Sequence, residues 1–297
     1  MRVVVVGSNG LIGHALCRAL VDRGDSVVAL SRSGAAGIGG ALDMRWDPAE
    51  GPPPPAALSG ADALVNLAGV PIGGKRWTAD RKREIRESRT LTTRLLVDAL
   101  ARDDAPRVLV NASAVGYYGS TEQEVDETAP PGSDFLAETC VAWEREALRA
   151  EDHGVRVVRL RTGIVLARAG GALPQMALPV KLFAGGPIGG GRQWLPWIHL
   201  DDEVGLLTLA LDQPGVTGAM NGTAPEPVRQ RDFVAALGRA LGRPAILPTP
   251  AFPLRIAMGE MATLALDGQR AVPAVALAAG YVFIHPDIDG ALQAVYA

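Results

Sequence analysis

Three glycines near the start of the chain constrain its fold more than any other feature. Gly7, Gly10 and Gly13 have the spacing G-x-x-G-x-x-G. They follow the β-branched run Arg2–Val6 and introduce a helical pattern over residues 11–23. A continuous apolar run of this kind predicts a strand buried on both faces. The glycines allow a sharp turn, a close backbone approach and tight contact between helix and strand, so the segment predicts a strand–turn–helix unit.

Strand-like and helix-like segments alternate through the first two-thirds of the chain. Further strands are predicted at residues 26–30, 63–67, 107–111 and 155–160, and further helices at 78–102, 134–153 and 201–211. This alternation predicts an α/β fold with a Rossmann-type, doubly wound parallel sheet. After about residue 170 the segments become shorter and richer in proline. We therefore predict a dinucleotide-binding domain over residues 1–170, to which 201–225 return, and a smaller mixed C-terminal region formed by 171–200 and 226–297.

Composition excludes several classes of protein. The chain has 297 residues, 48 % of them hydrophobic, and a net charge of -3. The net charge gives no global positive field that would attract nucleic acid. The hydrophobic fraction is too high for a disordered chain. No uncharged apolar run approaches the length of a membrane span, and no N-terminal signal is visible. The two cysteines and the scattered histidines predict neither a disulfide framework nor a metal site. We therefore expect a cytoplasmic protein with no nucleic-acid or membrane partner.

The glycine motif is typical of a dinucleotide site. Backbone N–H groups at the start of a helix can hold a diphosphate, and the helix dipole favours its charge there. The motif is specific here because it follows a predicted strand and opens a predicted helix. The predicted contacts in this segment are Gly7, Asn9, Gly10, Leu11, Ile12 and Gly13.

The end of the second predicted strand favours NADP(H), with NAD(H) as the alternative cofactor. Sites for NAD usually place a carboxylate there to hold the ribose 2′-hydroxyl. This chain has Ser31 and Arg32 instead, a hydroxyl and a guanidinium that suit a 2′-phosphate. The alternative for Arg32 is a solvated loop cation. Asp47 is a candidate contact for the adenine amino group, or else a turn residue before Pro48.

A second motif lies at the end of the strand predicted at residues 63–67. Asn66 is followed by Leu67, Ala68 and Gly69, all three of which are predicted cofactor contacts. Together with the glycine motif, this N-x-A-G segment resembles the extended short-chain dehydrogenase/reductase superfamily. More narrowly, the chain resembles the YfcH-like epimerase-family proteins over nearly its whole length, through residues 76–78, 87–89, 113–119, 134–138, 197–202, 259–273 and 280–283. The resemblance implies an NADP-binding Rossmann fold and a small polar or nucleotide-linked substrate.

The superfamily transfers protons with a Tyr-x-x-x-Lys pair, which this chain lacks. The lysine lowers the pKa of the tyrosine, which then exchanges a proton with the substrate as hydride moves. The chain has only Lys75, Lys82 and Lys181, and the residues four places before them are Pro71, Thr78 and Ala177. Where the pair belongs, residues 135–140 read Phe-Leu-Ala-Glu-Thr-Cys. Proton transfer would therefore need other groups or ordered water.

Four residues are candidates for that proton transfer. Ser113 lies near the position of the superfamily's catalytic serine or threonine, although Ala114 is an alternative counterpart. Tyr117 and Tyr118 are candidate acid/base groups, or else packing and substrate contacts. His199 could titrate near neutral pH, or it could cap the helix that follows.

Further candidates follow from the resemblance and from position. Arg161 is implied to border the nicotinamide, with a strand-end ion pair as the alternative. Lys75, Arg76 and Trp197 are the predicted substrate contacts, and a solvated loop charge is the alternative for the first two.

Three hypotheses about function follow from these residues. The leading one is an NADP(H)-dependent oxidoreductase or nucleotide-sugar-epimerase-like enzyme. A second is a non-catalytic NADP(H)-binding sensor or scaffold, which the missing pair favours. A third is a reductase that takes its proton from solvent. The resemblance also makes a homodimer through the two long helices possible.

Overall fold

The computed structural model describes residues 1–297, with thirteen strands and eleven α-helices. The strands are β1 Arg2–Val6, β2 Ser26–Ser31, β3 Ala41–Arg45, β4 Ala63–Asn66, β5 Val108–Ala114, β6 Thr121–Val125, β7 Arg156–Thr162, β8 Ile164–Leu166, β9 Trp194–Leu195, β10 Trp197–His199, β11 Gly218–Gly222, β12 Val228–Arg229 and β13 Gln269–Ala271. The helices are α1 Leu11–Asp22, α2 Pro55–Leu58, α3 Ala79–Ala99, α4 Phe135–Leu148, α5 Leu173–Lys181, α6 Leu200–Asp212, α7 Gln230–Leu241, α8 Ala251–Met258, α9 Thr263–Leu266, α10 Ala274–Ala278 and α11 Ile288–Tyr296.

Seven parallel strands form the central sheet, in the order β11-β7-β5-β4-β1-β2-β3. The chain runs outward from β1 through β2 to β3 and then returns to place β4 on the other side of β1. The order therefore reverses between β1 and β4, and the carboxyl ends of these strands border a crevice. This arrangement confirms the predicted doubly wound, Rossmann-type parallel sheet.

Helices cover both faces of the sheet, which explains why β1 is apolar at every position from Val3 to Val6. Val3 of β1 lies in one core together with Leu16 of α1 and Leu206 of α6. Val4, whose side chain points the other way, lies in the opposite core with Leu96 of α3. Successive residues of a strand face opposite sides, so a β-branched residue at every position fills both cores at once.

The C-terminal part of the chain adds a third core and three small sheets. Trp197, Phe233 and Leu292 lie in this core, which α5, α7 and α11 enclose. Strands β8 and β10 pair in parallel, β9 and β12 pair antiparallel, and β13 pairs in parallel with β6. None of the helices combines the length and apolar character that crossing a bilayer requires.

The buried carboxylate of Asp202 ties residues 281–285 to helix α6. Asp202, in the first turn of α6, accepts hydrogen bonds from the backbone N–H groups of Ile284 and His285 at 2.8 and 2.9 Å. The hydroxyl of Tyr281 donates to the same carboxylate at 3.1 Å. Three hydrogen bonds to one buried charge hold residues 281–285 against α6.

Candidate functional site

The glycine turn forms a backbone cradle at the start of α1. Gly7 has φ +83°, a left-handed conformation that favours glycine. A Cβ on Gly13 would lie 2.3 Å from the carbonyl oxygen of Gly7, so only glycine lets α1 approach this closely. Gly10 precedes α1 and offers no side chain to cap its first N–H groups. The cradle therefore fits a diphosphate, which could accept from these free donors.

The loop after β4 adjoins this cradle. A Cβ on Gly7 would lie 3.0 Å from the carbonyl carbon and oxygen of Leu67. Asn66 is fully buried and fixes the loop, because its side-chain oxygen accepts from the Ala68 N–H at 3.2 Å. The structure thus brings the two predicted cofactor segments, 7–13 and 67–69, together at the crevice.

The side chains at the end of β2 are exposed or bound to one another. Arg32 is exposed and has no carboxylate partner. Ser31 is buried, and its hydroxyl accepts from the Gly34 N–H at 3.2 Å. The side-chain amide of Asn9 donates to the hydroxyl of Ser33 at 2.8 Å, which ties the glycine turn to this strand end.

Asp47 has a local role in a turn. Its carboxylate accepts from the Ala49 N–H at 3.0 Å and caps the short 3-10 helix Pro48–Glu50. Asp47 therefore has the role of a turn residue before Pro48, which the sequence analysis gave as the alternative to an adenine contact.

A buried ion pair lies at the carboxyl ends of β5 and β7. Arg161 is 2 % exposed and donates to both carboxylate oxygens of Glu144, at 2.8 and 3.0 Å. Glu144 is also buried, and it accepts from Arg159 at 2.8 Å and from the Ser113 hydroxyl at 2.7 Å. A buried pair with four donated hydrogen bonds is well satisfied, so Ser113 and Arg161 are held by protein contacts. This is the ion-pair alternative for Arg161.

Glu144 was missed by the sequence analysis, although a signal was present. It lies four residues after Cys140 and three before Ala147, and all three side chains are buried on one face of α4. A carboxylate at this spacing on an apolar helical face indicates a buried partner. Sequence spacing did not show that the partners would come from β5 and β7.

The two candidate tyrosines differ in their surroundings. Tyr118 is buried, donates to the side-chain oxygen of Asn221 at 2.7 Å and accepts from Arg161 at 3.0 Å. Burial raises the pKa of the Tyr118 phenol, and Arg161 opposes that change only in part. Tyr117 is partly exposed, and its ring lies 3.5 Å from the guanidinium carbon of Arg161. Its hydroxyl makes no hydrogen bond within the protein, so it is the candidate that remains free to exchange a proton.

Apolar side chains and a thiol occupy the segment where the superfamily has its Tyr-x-x-x-Lys pair. Phe135 stacks edge-on with Trp77, with ring centroids 5.1 Å apart. Leu136 lies against Gly116. Burial raises the pKa of the Cys140 thiol to about 12, so this thiol stays protonated. Glu138 pairs with Arg86 at 3.3 Å, and the Thr139 hydroxyl donates to the Phe135 carbonyl at 2.7 Å. The segment therefore offers neither a tyrosine nor a lysine for proton exchange.

The predicted substrate contacts fall in different environments. Lys75 and Arg76 are exposed in the loop between β4 and α3. Trp197 is 1 % exposed in the third core, and its indole N–H donates to the carbonyl of Glu226 at 3.2 Å. A side chain sealed in this way has no surface for a substrate, which corrects the expectation for Trp197.

His199 has the capping role that the sequence left open for it. Its Nδ1 accepts from the Asp201 N–H at 3.1 Å at the start of α6. His285 is far away in the sequence, but its ring centroid lies 3.8 Å from that of His199. The two imidazoles and the Asp201 carboxylate have possible ligand atoms within 4.8 Å of one another. The sequence analysis treated the histidines as scattered, and the structure corrects this for His199 and His285, which lie side by side.

Comparison with known proteins agrees with this geometry. The model of the NAD dependent epimerase/dehydratase family matches residues 3–221, and a domain of unknown function, DUF1731, matches residues 249–295. The chain belongs to the NAD-dependent epimerase/dehydratase family. It is 43 % identical to the Arabidopsis thaliana "Epimerase family protein SDR39U1 homolog, chloroplastic", over 99 % of this chain and 86 % of that one. This membership confirms the resemblance drawn from the motifs.

Solved structures show the same fold. A crystal structure of human epimerase family protein SDR39U1 with NADPH matches with a TM-score of 0.90 and 38 % identity, over 100 % of this chain and 99 % of that one. MoeE5 in complex with UDP-glucose and NAD matches with a TM-score of 0.80 at 21 % identity, over 100 % of this chain and 97 % of that one. The second likeness concerns the fold alone. The word "chloroplastic" in the plant relative's name leaves the cytoplasmic location of this chain a prediction.

Proposed function

We propose that the chain binds NADP(H) in the crevice between the glycine turn and the loop after β4. The observation that carries this proposal is the fit of the cradle, since a Cβ on Gly13 would meet the carbonyl oxygen of Gly7 at 2.3 Å. The 38 % identical human relative was crystallised with NADPH, which supports binding of this nucleotide. The N–H groups at the start of α1 would hold the diphosphate, and residues 67–69 would line its other side.

The choice of NADP(H) over NAD(H) rests on Arg32 and Ser31. The guanidinium of Arg32 is exposed and has no carboxylate to neutralise it, so it is free to bind a 2′-phosphate. A carboxylate in its place would repel that phosphate and favour the 2′-hydroxyl instead.

The reaction that fits this site is oxidoreductase or epimerase-type chemistry on a small polar or nucleotide-linked substrate. The cofactor would supply or accept hydride. Tyr117 would exchange the proton, because its hydroxyl has no protein partner while Ser113 and Tyr118 are both engaged. The Arg161 guanidinium over the Tyr117 ring would hold this ring in place beside the site. Lys75 and Arg76 would attract a negatively charged substrate.

A second function, NADP(H) sensing without turnover, is supported by a specific observation. The segment that should provide the proton-transfer pair presents Phe135, Leu136 and Cys140 instead. The pKa of that thiol, about 12, keeps it protonated. A protein of this kind would bind the nucleotide and signal through a partner, without changing the nucleotide's absorbance.

Nucleotide titration tests the cofactor proposal. We expect wild-type protein to bind NADPH more tightly than NADH, measured by tryptophan or nucleotide fluorescence. Arg32→Ala should weaken NADPH binding by about tenfold and leave NADH binding unchanged, because only NADPH carries the 2′-phosphate. Arg18→Ala removes another exposed arginine, on α1, and should behave as wild type. Equal discrimination by wild type and Arg32→Ala would contradict the proposal.

Absorbance of the nicotinamide distinguishes the two proposed functions, an enzyme and a non-catalytic sensor. Wild-type protein is mixed with NADP(H) and nucleotide-linked sugars, and oxidation or reduction of the nicotinamide is followed. We expect wild-type protein to show turnover. Tyr117→Phe should reduce this turnover strongly but should still bind NADPH as tightly as wild type. Turnover unchanged in Tyr117→Phe would remove this proton donor, and binding without any turnover would favour the sensor.

A further inference from the structure

Arg89 stands out because it is a partly buried guanidinium without a carboxylate. It projects from α3 toward the loop after β4, where a Cβ on Gly69 would lie 3.1 Å from its guanidinium carbon. Its hydrogen bond within the protein is donated to the Ile85 carbonyl at 3.0 Å. The guanidinium also lies 5.1 Å from the centroid of the Trp143 ring.

Other arginines of α3 are neutralised in the usual way. Arg81 pairs with Glu84 at 2.6 Å, and Arg94 pairs with Glu146 at 2.8 Å. Arg89 forms no such ion pair, and burial lowers the pKa of its guanidinium. A cation removed from water costs free energy unless hydrogen bonds or an anion compensate it. Arg89 has one hydrogen bond and no anion, so its position beside the crevice points to a ligand that supplies further oxygens.

The sheet order places Arg89 along the path of the cofactor. The strand ends run from β2, which carries Arg32, through β1, which carries the glycine turn, to β4, which carries Gly69. A dinucleotide with its 2′-phosphate at Arg32 and its diphosphate at the glycine turn extends next over the β4 loop. Arg89 would therefore lie on the side of that diphosphate that faces away from the adenine.

The surroundings of Arg89 agree with that position. Its positive charge opposes the rise in the pKa of Cys140, so the guanidinium and the thiol are close. Cys140 lies in the segment where the superfamily's Tyr-x-x-x-Lys pair belongs, next to the end of β5. Arg89 thus places a positive charge near the segment in which the superfamily has the lysine of its Tyr-x-x-x-Lys pair and this chain has none.

We propose that Arg89 holds the nicotinamide half of the bound dinucleotide, donating hydrogen bonds to its phosphate or ribose oxygens. This inference rests on the proposed NADP(H) binding. It assigns Arg89 as a cofactor-binding residue and gives the unpaired charge a partner. Arg32 and Arg89 would then hold the two ends of one ligand from opposite sides of the glycine turn.

Two ligands distinguish the two ends of the site. NADPH contains both halves, whereas adenosine 2′,5′-bisphosphate lacks the nicotinamide half. Binding of each is measured by calorimetry with wild type, Arg89→Met, Arg89→Lys and Arg32→Ala. Arg83→Met, which removes an exposed arginine of the same helix, is the control and should behave as wild type.

We expect Arg89→Met to weaken NADPH binding by roughly 10- to 100-fold, the value of a charge-assisted hydrogen bond. The same variant should bind adenosine 2′,5′-bisphosphate as wild type does, and Arg89→Lys should recover part of the NADPH affinity. Arg32→Ala should weaken both ligands. Unchanged NADPH binding in Arg89→Met, or equal weakening of both ligands, would overturn the role of Arg89. If wild type bound neither ligand, the proposed function itself would fail.

Thermal unfolding without nucleotide separates binding from a structural role. Removing a partly buried cation that has no carboxylate partner also removes its desolvation cost, so Arg89→Met should melt at or above the wild-type temperature. A role in stability, through Trp143 and the Ile85 carbonyl, predicts a lower melting temperature. A lower melting temperature together with weakened binding of both ligands would therefore count against the proposal.

Discussion

Replacing Glu203 by glutamine should flatten the dependence of stability on pH. Glu203 is fully buried in the first turn of α6. One carboxyl oxygen accepts from the Thr162 hydroxyl at 2.7 Å, and the other has no hydrogen-bond partner. Burial raises the pKa of Glu203 from 4.5 to about 8, and the Thr162 hydroxyl opposes this only in part. The folded protein therefore holds a proton on Glu203 at neutral pH, whereas the unfolded chain releases it.

The sign and size of the effect follow from these two pKa values. Below the unfolded pKa both states hold the proton, and the stability contribution of this group is fully present. Between about pH 4.5 and about pH 8 only the folded state holds it, so the free energy of unfolding falls by about 1.4 kcal/mol per pH unit. From about pH 5.5 to about pH 8, Glu203 alone should therefore cost the protein about 3 kcal/mol of stability.

Urea unfolding at these two pH values measures that loss. Glu203→Gln keeps an oxygen for the Thr162 hydroxyl but cannot ionise, so its loss of stability between the two pH values should be smaller by about 3 kcal/mol. Glu87→Gln, which removes an exposed carboxylate of α3, is the control and should follow wild type. Equal pH dependence in wild type and Glu203→Gln would refute the assignment of a buried, protonated carboxyl.

Two further substitutions test the ion pair and the cradle. Glu144→Ala should destabilise the protein by about 3–5 kcal/mol in urea unfolding, because it leaves Arg161 buried without its carboxylate; a loss below about 1 kcal/mol would contradict this. Gly13→Ala should cost about 1–3 kcal/mol and weaken NADPH binding by at least about tenfold, since its Cβ would meet the Gly7 carbonyl at 2.3 Å. Gly39→Ala, with open space around the added Cβ, is the control, and an equal effect there would refute the close-approach argument.

The sheet could be predicted because its signals are local. The run Arg2–Val6 and the glycines that follow specify a buried strand, a turn and a helix within a short stretch of chain. The short pairings of the C-terminal part were not predicted. Strands β9 and β12 contain two residues each and pair across more than thirty positions of sequence, so neither carries a periodic pattern of its own.

The site could be predicted only on its cofactor side. The glycine turn and residues 67–69 come together as expected, because parallel strands end at one edge of the sheet. The other side depends on pairs between distant segments, such as Ser113 with Glu144 or His199 with His285. Sequence spacing says nothing about such pairs, since the fold alone decides which side chains meet.

The sequence by itself determined two things about this protein. It specified the Rossmann-type unit, because glycine conformation and strand burial are local properties, and it excluded a Tyr-x-x-x-Lys pair, because the position of every lysine can be read directly. Tertiary structure alone decided which polar groups are free. Arg161 and Arg89 look alike in the sequence, but Arg161 meets a buried carboxylate and Arg89 meets none. Whether a charge is compensated depends on neighbours that only the folded chain brings within hydrogen-bond distance.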